Sequence, residues 1–151
     1  MKLWADTDAI NTAGRAVAVK VSEMTADINH QAKSRGTKAV QALRNAELEV
    51  LKGKRSGKKY RKYPYKSWHT AAAPGEAPAK RFGDLRLHWS GDVKSRDKPD
   101  GGIEVVAGLE SGEKYAYYLE EGKGMEARPF VEKIKEKAMP EIERIYNRPF
   151  T

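Results

Sequence analysis

Ile10, Gly14, Val17, Val21, Met24 and Ile28 recur at steps of three and four residues, the spacing that places side chains on one face of an α-helix. This stripe commits the start of the chain to a helix over residues 7 to about 51. Asp6, Thr7 or Asp8 can cap it by accepting hydrogen bonds from the first free amides. Gly36 and Thr37 mark an expected break or kink, after which Val40, Leu43, Glu47 and Val50 continue a weaker pattern. A helix of 40-odd residues outruns the usual globular length. Over residues 8–34 the expectation is an amphipathic helix packed on its own sheet; the alternative is a helix shared with a neighbouring subunit.

The segment that follows has no such period. From Lys52 to Lys66 there are eight basic residues (Lys52, Lys54, Arg55, Lys58, Lys59, Arg61, Lys62 and Lys66) and no acidic one. The chain has 29 Lys and Arg against 21 Asp and Glu, so the remainder balances at 21 of each and the whole net charge of +8 lies in this segment. Such a block repels itself, stays solvated and attracts polyanions. Gly53, Gly57, Pro64, Pro74, Gly75 and Pro78 interrupt regular structure, which predicts a long flexible arm over residues 52–82, with a short extended stretch around Tyr60–Trp68. Tyr60, Tyr63, Tyr65 and Trp68 interleave with the cations, a composition suited to phosphate contact and base stacking. Lys54, Arg55, Lys58, Lys59, Tyr60, Arg61, Lys62, Tyr63 and Trp68 are therefore the candidates for a face that meets a neighbouring subunit or lies near DNA. The competing reading is a solvated loop whose charges keep the chain in solution.

After Gly83 the period changes to two. Leu85, Leu87, Trp89 and Val93 alternate with Arg86, His88 and Ser90, and Ile103, Val105, Ala107 and Leu109 repeat the alternation. Pro99-Asp100-Gly101-Gly102 between them is a turn signal, so an antiparallel hairpin is predicted, with Trp89 in its core face. A further turn is expected at Glu110–Glu113, and Tyr115–Glu121 forms either a short helix or another strand. Pro129 suits a first helical turn, and Phe130, Ile134, Ala138, Ile142 and Ile145 make an apolar stripe that Pro140 should kink or divide. The 151 residues thus read as one α+β domain: a long N-terminal helix, a long basic loop, a small antiparallel β-sheet and a C-terminal helix.

Catalytic chemistry finds little support. The chain has no cysteine, hence no disulfide or thiolate, and its three histidines, His30, His69 and His88, fall in separate elements without ligand spacing. Neither a nucleophile elbow nor a phosphate-cradling glycine loop is present. Glu120 and Glu121 are adjacent and point to different faces, so they do not converge on one atom. The expected role of Arg128 is an ion pair with a nearby carboxylate such as Glu120, orienting the last helix. No catalytic, cofactor or metal residue is expected. No apolar run long enough for a signal peptide or a membrane span occurs, and none is expected.

The stretch Tyr115 to Phe130 reads YAYYLEEGKGMEARPF. Its pattern, Tyr-Ala-x-x-Leu-Glu-x-Gly and then Met-x-Ala-Arg-Pro-Phe, resembles the C-terminal half of the HK97 gp10-like family of tailed-phage proteins. His69 to Trp89, HTAAAPGEAPAKRFGDLRLHW, is similar to the family's Ala-Pro-Gly-Glu-Ala-Pro-Ala stretch followed by a basic linker, Gly-x-Leu-Arg and an aromatic. The two stretches cover less than half the chain and keep the family's order.

The resemblance implies a structural virion protein in tail completion or head–tail joining, a homo-oligomeric ring of six or twelve copies at the neck, assembled in the host cytoplasm. It also implies partners among connector, neck or tail-tube proteins and nonspecific contact with packaged DNA, and it assigns Tyr115, Tyr118, Glu120, Gly122, Arg128, Pro129 and Phe130 to fold and subunit contacts. The long helix, the arm and this cassette are the expected contact faces, and deletion of Gly53–Ser67 is expected to spare the fold and abolish joining. The alternative is a small nucleic-acid-binding protein or toxin-type ribonuclease, in which Glu120 or Tyr117 would be catalytic.

Overall fold

A computed structural model describes residues 7–61, 63–64, 66–79 and 83–151, with side chains from Asn11 onward. The expected caps of the first helix, and Lys62 and Tyr65 of the basic arm, lie outside the described residues or side chains. The order of elements is α1 (Thr7–Lys52), β1 (Lys59–Arg61), β2 (Trp68–Thr70), α2 (Asp84–Leu87), β3 (Trp89–Asp97), β4 (Ile103–Ser111), α3 (Tyr115–Glu121) and α4 (Val131–Tyr146). The fold is α+β: a long helix, two small antiparallel hairpins and a closing C-terminal helix.

Helix α1 runs for 46 residues without the break expected at Gly36 and Thr37. Gly36 serves close approach instead. A Cβ there would lie 2.8 Å from a Val105 methyl and 2.9 Å from a Val93 methyl, so the missing side chain lets the β3–β4 hairpin lie against the helix. Gly91 on β3 makes the reciprocal accommodation for Val40. The hairpin pairs Trp89 with Ser111 through Asp97 with Ile103, and the turn predicted at Pro99–Gly102 closes it. There Lys98 and Gly102 share a backbone bond of 2.8 Å, and Asp100 accepts the Gly102 amide at 3.0 Å.

Four expectations for the second half are corrected. The first strand was expected to include Leu85 and Leu87, but this stretch is one helical turn, with the Arg86 and Leu87 amides bonded to the Gly83 carbonyl. The turn buries Leu85 and aims the Arg86 carbonyl at the Arg44 guanidinium, 3.0 Å away, a tertiary contact that outweighs the alternation. β4 runs to Ser111, into the turn expected from Glu110. Pro129 precedes the Phe130 cap rather than occupying the first turn of α4, and Pro140 leaves α4 undivided. Pro140 and Glu136, whose carbonyl loses its amide partner, are both exposed, so water can satisfy it. Tyr115–Glu121, open between helix and strand, is helical.

The core lies where α1, α4 and the short α2 and α3 meet. Ala46, Leu51, Ala77, Leu85, Ala116, Phe130, Ile134 and Ala138 form one buried cluster, with Trp89, Leu119 and Ile142 packed on it. Its alanines let the helices approach closely. Phe130 is its largest member, 1% exposed, and meets Trp89 edge-to-face at 6.1 Å.

The first half of α1 does not take part. Val17, Val21, Met24 and Ile28 are 62%, 56%, 57% and 42% exposed, which overturns the expectation that residues 8–34 pack on the chain's own sheet. The physical reason lies in α4. Its last turn reaches Arg35, whose guanidinium donates to the carbonyls of Tyr146 at 3.1 Å and Pro149 at 3.0 Å, and the chain has no further described element to lay along the stripe.

Candidate functional site

In the Tyr115–Phe130 cassette, α3 presents Ala116 to the core and leaves Tyr115, Tyr117 and Tyr118 between 40% and 54% exposed. Glu120 does not pair with Arg128 as expected. Its Oε2 accepts the backbone amides of Phe130 at 2.8 Å and Val131 at 3.2 Å, capping α4 from a neighbouring helix. Among the described residues Arg128 forms no ion pair; its amide donates to the Leu119 carbonyl at 2.8 Å, and the residue lines a cleft. Gly122 ends α3 at φ 72°, a left-handed conformation that costs a side-chain-bearing residue energy, and its position leaves no room for a Cβ beside Ala127. Pro129 directs the chain into the buried Phe130. The exposed part of the cassette includes an aromatic pair: Tyr117 and Tyr118 meet edge-to-face at 5.9 Å, and the Lys123 ammonium lies 5.0 Å from the Tyr117 ring centre. Burial pushes the Tyr115 hydroxyl above its usual pKa.

The basic arm is more ordered than a loop. β1 and β2 pair in register Lys59–Thr70, Tyr60–His69 and Arg61–Trp68, and bonds between Gly57, Lys58 and Ala71 extend the ladder. Strand alternation then sorts the candidate residues. Tyr60 and His69 are half-buried and in edge-to-face contact at 5.1 Å, facing the body of the protein. Lys59, Arg61 and Trp68 are exposed, with the Arg61 guanidinium 5.7 Å from the Trp68 ring centre. Tyr63 is 83% and Trp68 67% exposed. Among the described residues Lys54, Lys58, Lys59, Arg61 and Lys66 enter no ion pair.

Arg55 departs from the set. Its guanidinium donates to the carbonyls of Val50 at 2.7 Å, Gly53 at 2.8 Å and Pro78 at 3.2 Å, neutralising the carbonyl end of α1 and tying the two ends of the arm together. Glu76 completes the base of the arm by accepting the amides of Ser56 at 3.0 Å and Ala73 at 2.9 Å, and the Ser56 hydroxyl. These bonds hold its pKa down at about 2. Sequence reasoning missed this acidic clasp because Glu76 stands 20 residues from Ser56.

Between the inner face of the hairpin and the core lies a cleft of about 380 Å³ lined by Tyr60, His69, Asp84, Arg86, Tyr115 and Arg128 among others. The three histidines do not converge: His30 lies exposed on α1, His69 lines the cleft and His88 pairs with Glu113 at the surface. Among the described residues no group of three His, Asp or Glu side chains has metal-holding geometry. Among the described residues no helix is long and apolar enough to cross a membrane. No known protein family, curated protein or solved structure matches this chain.

Proposed function

We propose that this chain is a structural protein of a tailed bacteriophage or prophage, acting in tail completion or head–tail joining as a ring of identical subunits at the neck. One observation carries the reading. The cassette residues that resemble the HK97 gp10-like family serve the architecture: Glu120 caps α4, Gly122 turns the chain and Phe130 fills the core. A motif used for folding marks a shared scaffold rather than a reaction, and the ring is what that family resemblance implies. Ring closure needs two different faces, one meeting the other on the next copy. The exposed tyrosines of α3 and the cationic outer face of the hairpin supply two such faces on one molecule.

A second reading has its own support. Lys59, Arg61 and Trp68 on one side of a hairpin form a cation–aromatic face suited to a nucleic-acid backbone and its bases. In a neck protein this face would lie toward the DNA path; in a free-standing nucleic-acid-binding protein it would be the whole function. Light scattering behind a sizing column, with negative-stain microscopy of the same fractions, separates the two. Closed rings of one size are expected. An absence of rings at every concentration, together with DNA binding that falls steeply with salt, would overturn the neck reading in favour of the second.

A further inference from the structure

We infer that the exposed stripe of α1 is a dimerisation seam, and that a second copy of this chain covers it with its own α1 in antiparallel orientation. Gly14, Val17, Val21, Met24 and Ile28 follow each other at steps of three, four, three and four, an average of 3.5, which is the period of a coiled-coil seam. The stripe also continues an interface the fold already uses. Along α1, Arg35, Ala39, Ala42 and Ala46 are buried, and α4 runs antiparallel to α1 until its end reaches Arg35. Beyond Gln31, where the Thr151 carbonyl accepts a side-chain hydrogen bond, the same side of α1 is bare. An antiparallel α1 from a second copy, laid along the stripe, continues the line of α4 in α4's own direction.

Charge decides the orientation. With Val21 opposite Met24 of the second copy, Val17 faces its Ile28, and the two-fold axis repeats both layers. Lys20 and Asp27 occupy the same flank of the stripe, each directly before one of its residues. Antiparallel pairing brings Lys20 to within about 3 Å, along the axis, of the level of Asp27 in the second copy, twice per dimer. Parallel pairing would set Lys20 against Thr25 and Asp27 against Ala32, and neither charge would find a partner. Gly14 of the second copy arrives near Gln31, where Thr151 already lies, and its missing side chain leaves room there.

This contact does not depend on the neck reading. It is isologous, so it doubles whatever unit the other faces build. Residue 21 is exposed in the single chain, so Val21→Asp should leave the subunit folded, with a helical far-ultraviolet circular dichroism spectrum and cooperative unfolding. By light scattering the wild-type mass should be twice that of Val21→Asp, whether the remaining unit is a monomer or a ring. Lys20→Glu and Asp27→Lys should each weaken the doubling, and the double variant should restore it. The chain lacks cysteine, so single replacements report geometry cleanly. Val17→Cys mixed with Ile28→Cys should form a disulfide-linked pair, and Val17→Cys alone should not. Equal masses for wild type and Val21→Asp, or self-linking of Val17→Cys, would overturn the proposal.

Discussion

At the scale of single residues, the informative side chains are charged groups that the fold has taken out of water. Glu47 is fully buried on α1, and although the Arg44 guanidinium donates to Oε2, its Oε1 has no hydrogen-bond partner among the described residues. Desolvation outweighs the attraction of Arg44 and Arg86 and raises its pKa from 4.5 to about 7. The folded chain therefore holds a proton that the unfolded chain has released over that interval. The associated stability is complete below pH 4.5 and is lost as pH rises through about 7. We expect chemical denaturation of the wild type to show a decline on the order of 2 kcal/mol between pH 5 and pH 8. Glu47→Gln should largely remove that slope; an unchanged slope would mean that Glu47 is not its source. Glu120 illustrates the opposite case, a carboxylate whose oxygen is supplied with amide donors and orients α4. The sequence placed Glu120 beside the last helix but did not identify its partners, because backbone amides leave no residue-type signal.

At the scale of elements, α1 has two halves with different surroundings. Its second half is sandwiched between the β3–β4 hairpin and α4, and Gly36 is a point of close approach to the hairpin. A methyl there would already crowd the stiff Val93 and Val105 side chains, and a branched side chain would crowd them further. Gly36→Val should destabilise the protein by about 1–3 kcal/mol in equilibrium unfolding, while leaving isolated helix propensity little changed. A stabilising or neutral result would show that the hairpin does not rest on the helix at this point. The same glycine explains the failed expectation of a break. Local reading treats a mid-helix glycine as an interruption, whereas here the gain in packing offsets the propensity cost of about 1 kcal/mol. The hairpin was legible in advance because its turn sequence and its alternation agree. The turn at Asp84–Leu87 was not, since the alternation there mimics a strand.

At the scale of the whole molecule, the balanced body and the cationic arm are separate electrostatic objects. The arm joins the body through Arg55 and Glu76, so deleting Gly53–Ser67 would remove both Arg55 and the Ser56 partner of Glu76. Charge replacement is the cleaner perturbation. Replacing Lys58, Lys59, Arg61 and Lys66 with Gln should shift the melting temperature little, because exposed cations that pair with no acid among the described residues contribute little to stability. The same variant should lose affinity for any polyanion and show a shallower dependence on salt. A large drop in melting temperature would show that these cations serve the fold instead.

The sequence by itself determined the helices at both ends, the central hairpin and its turn, and the confinement of net charge to one segment. Each of these is a local property, set by periodicity, turn chemistry or composition within a short window. Only the tertiary structure decided what each element touches: that Gly36 is a contact rather than a hinge, that Arg55 clamps carbonyls while Arg61 faces outward, and that Glu120 caps a helix instead of pairing with Arg128. It also decided that, among the described residues, nothing covers the stripe over residues 14–28. Periodicity marks an apolar face but is silent on which surface covers it, because burial is settled by where distant segments end in space, here by α4 stopping at Arg35.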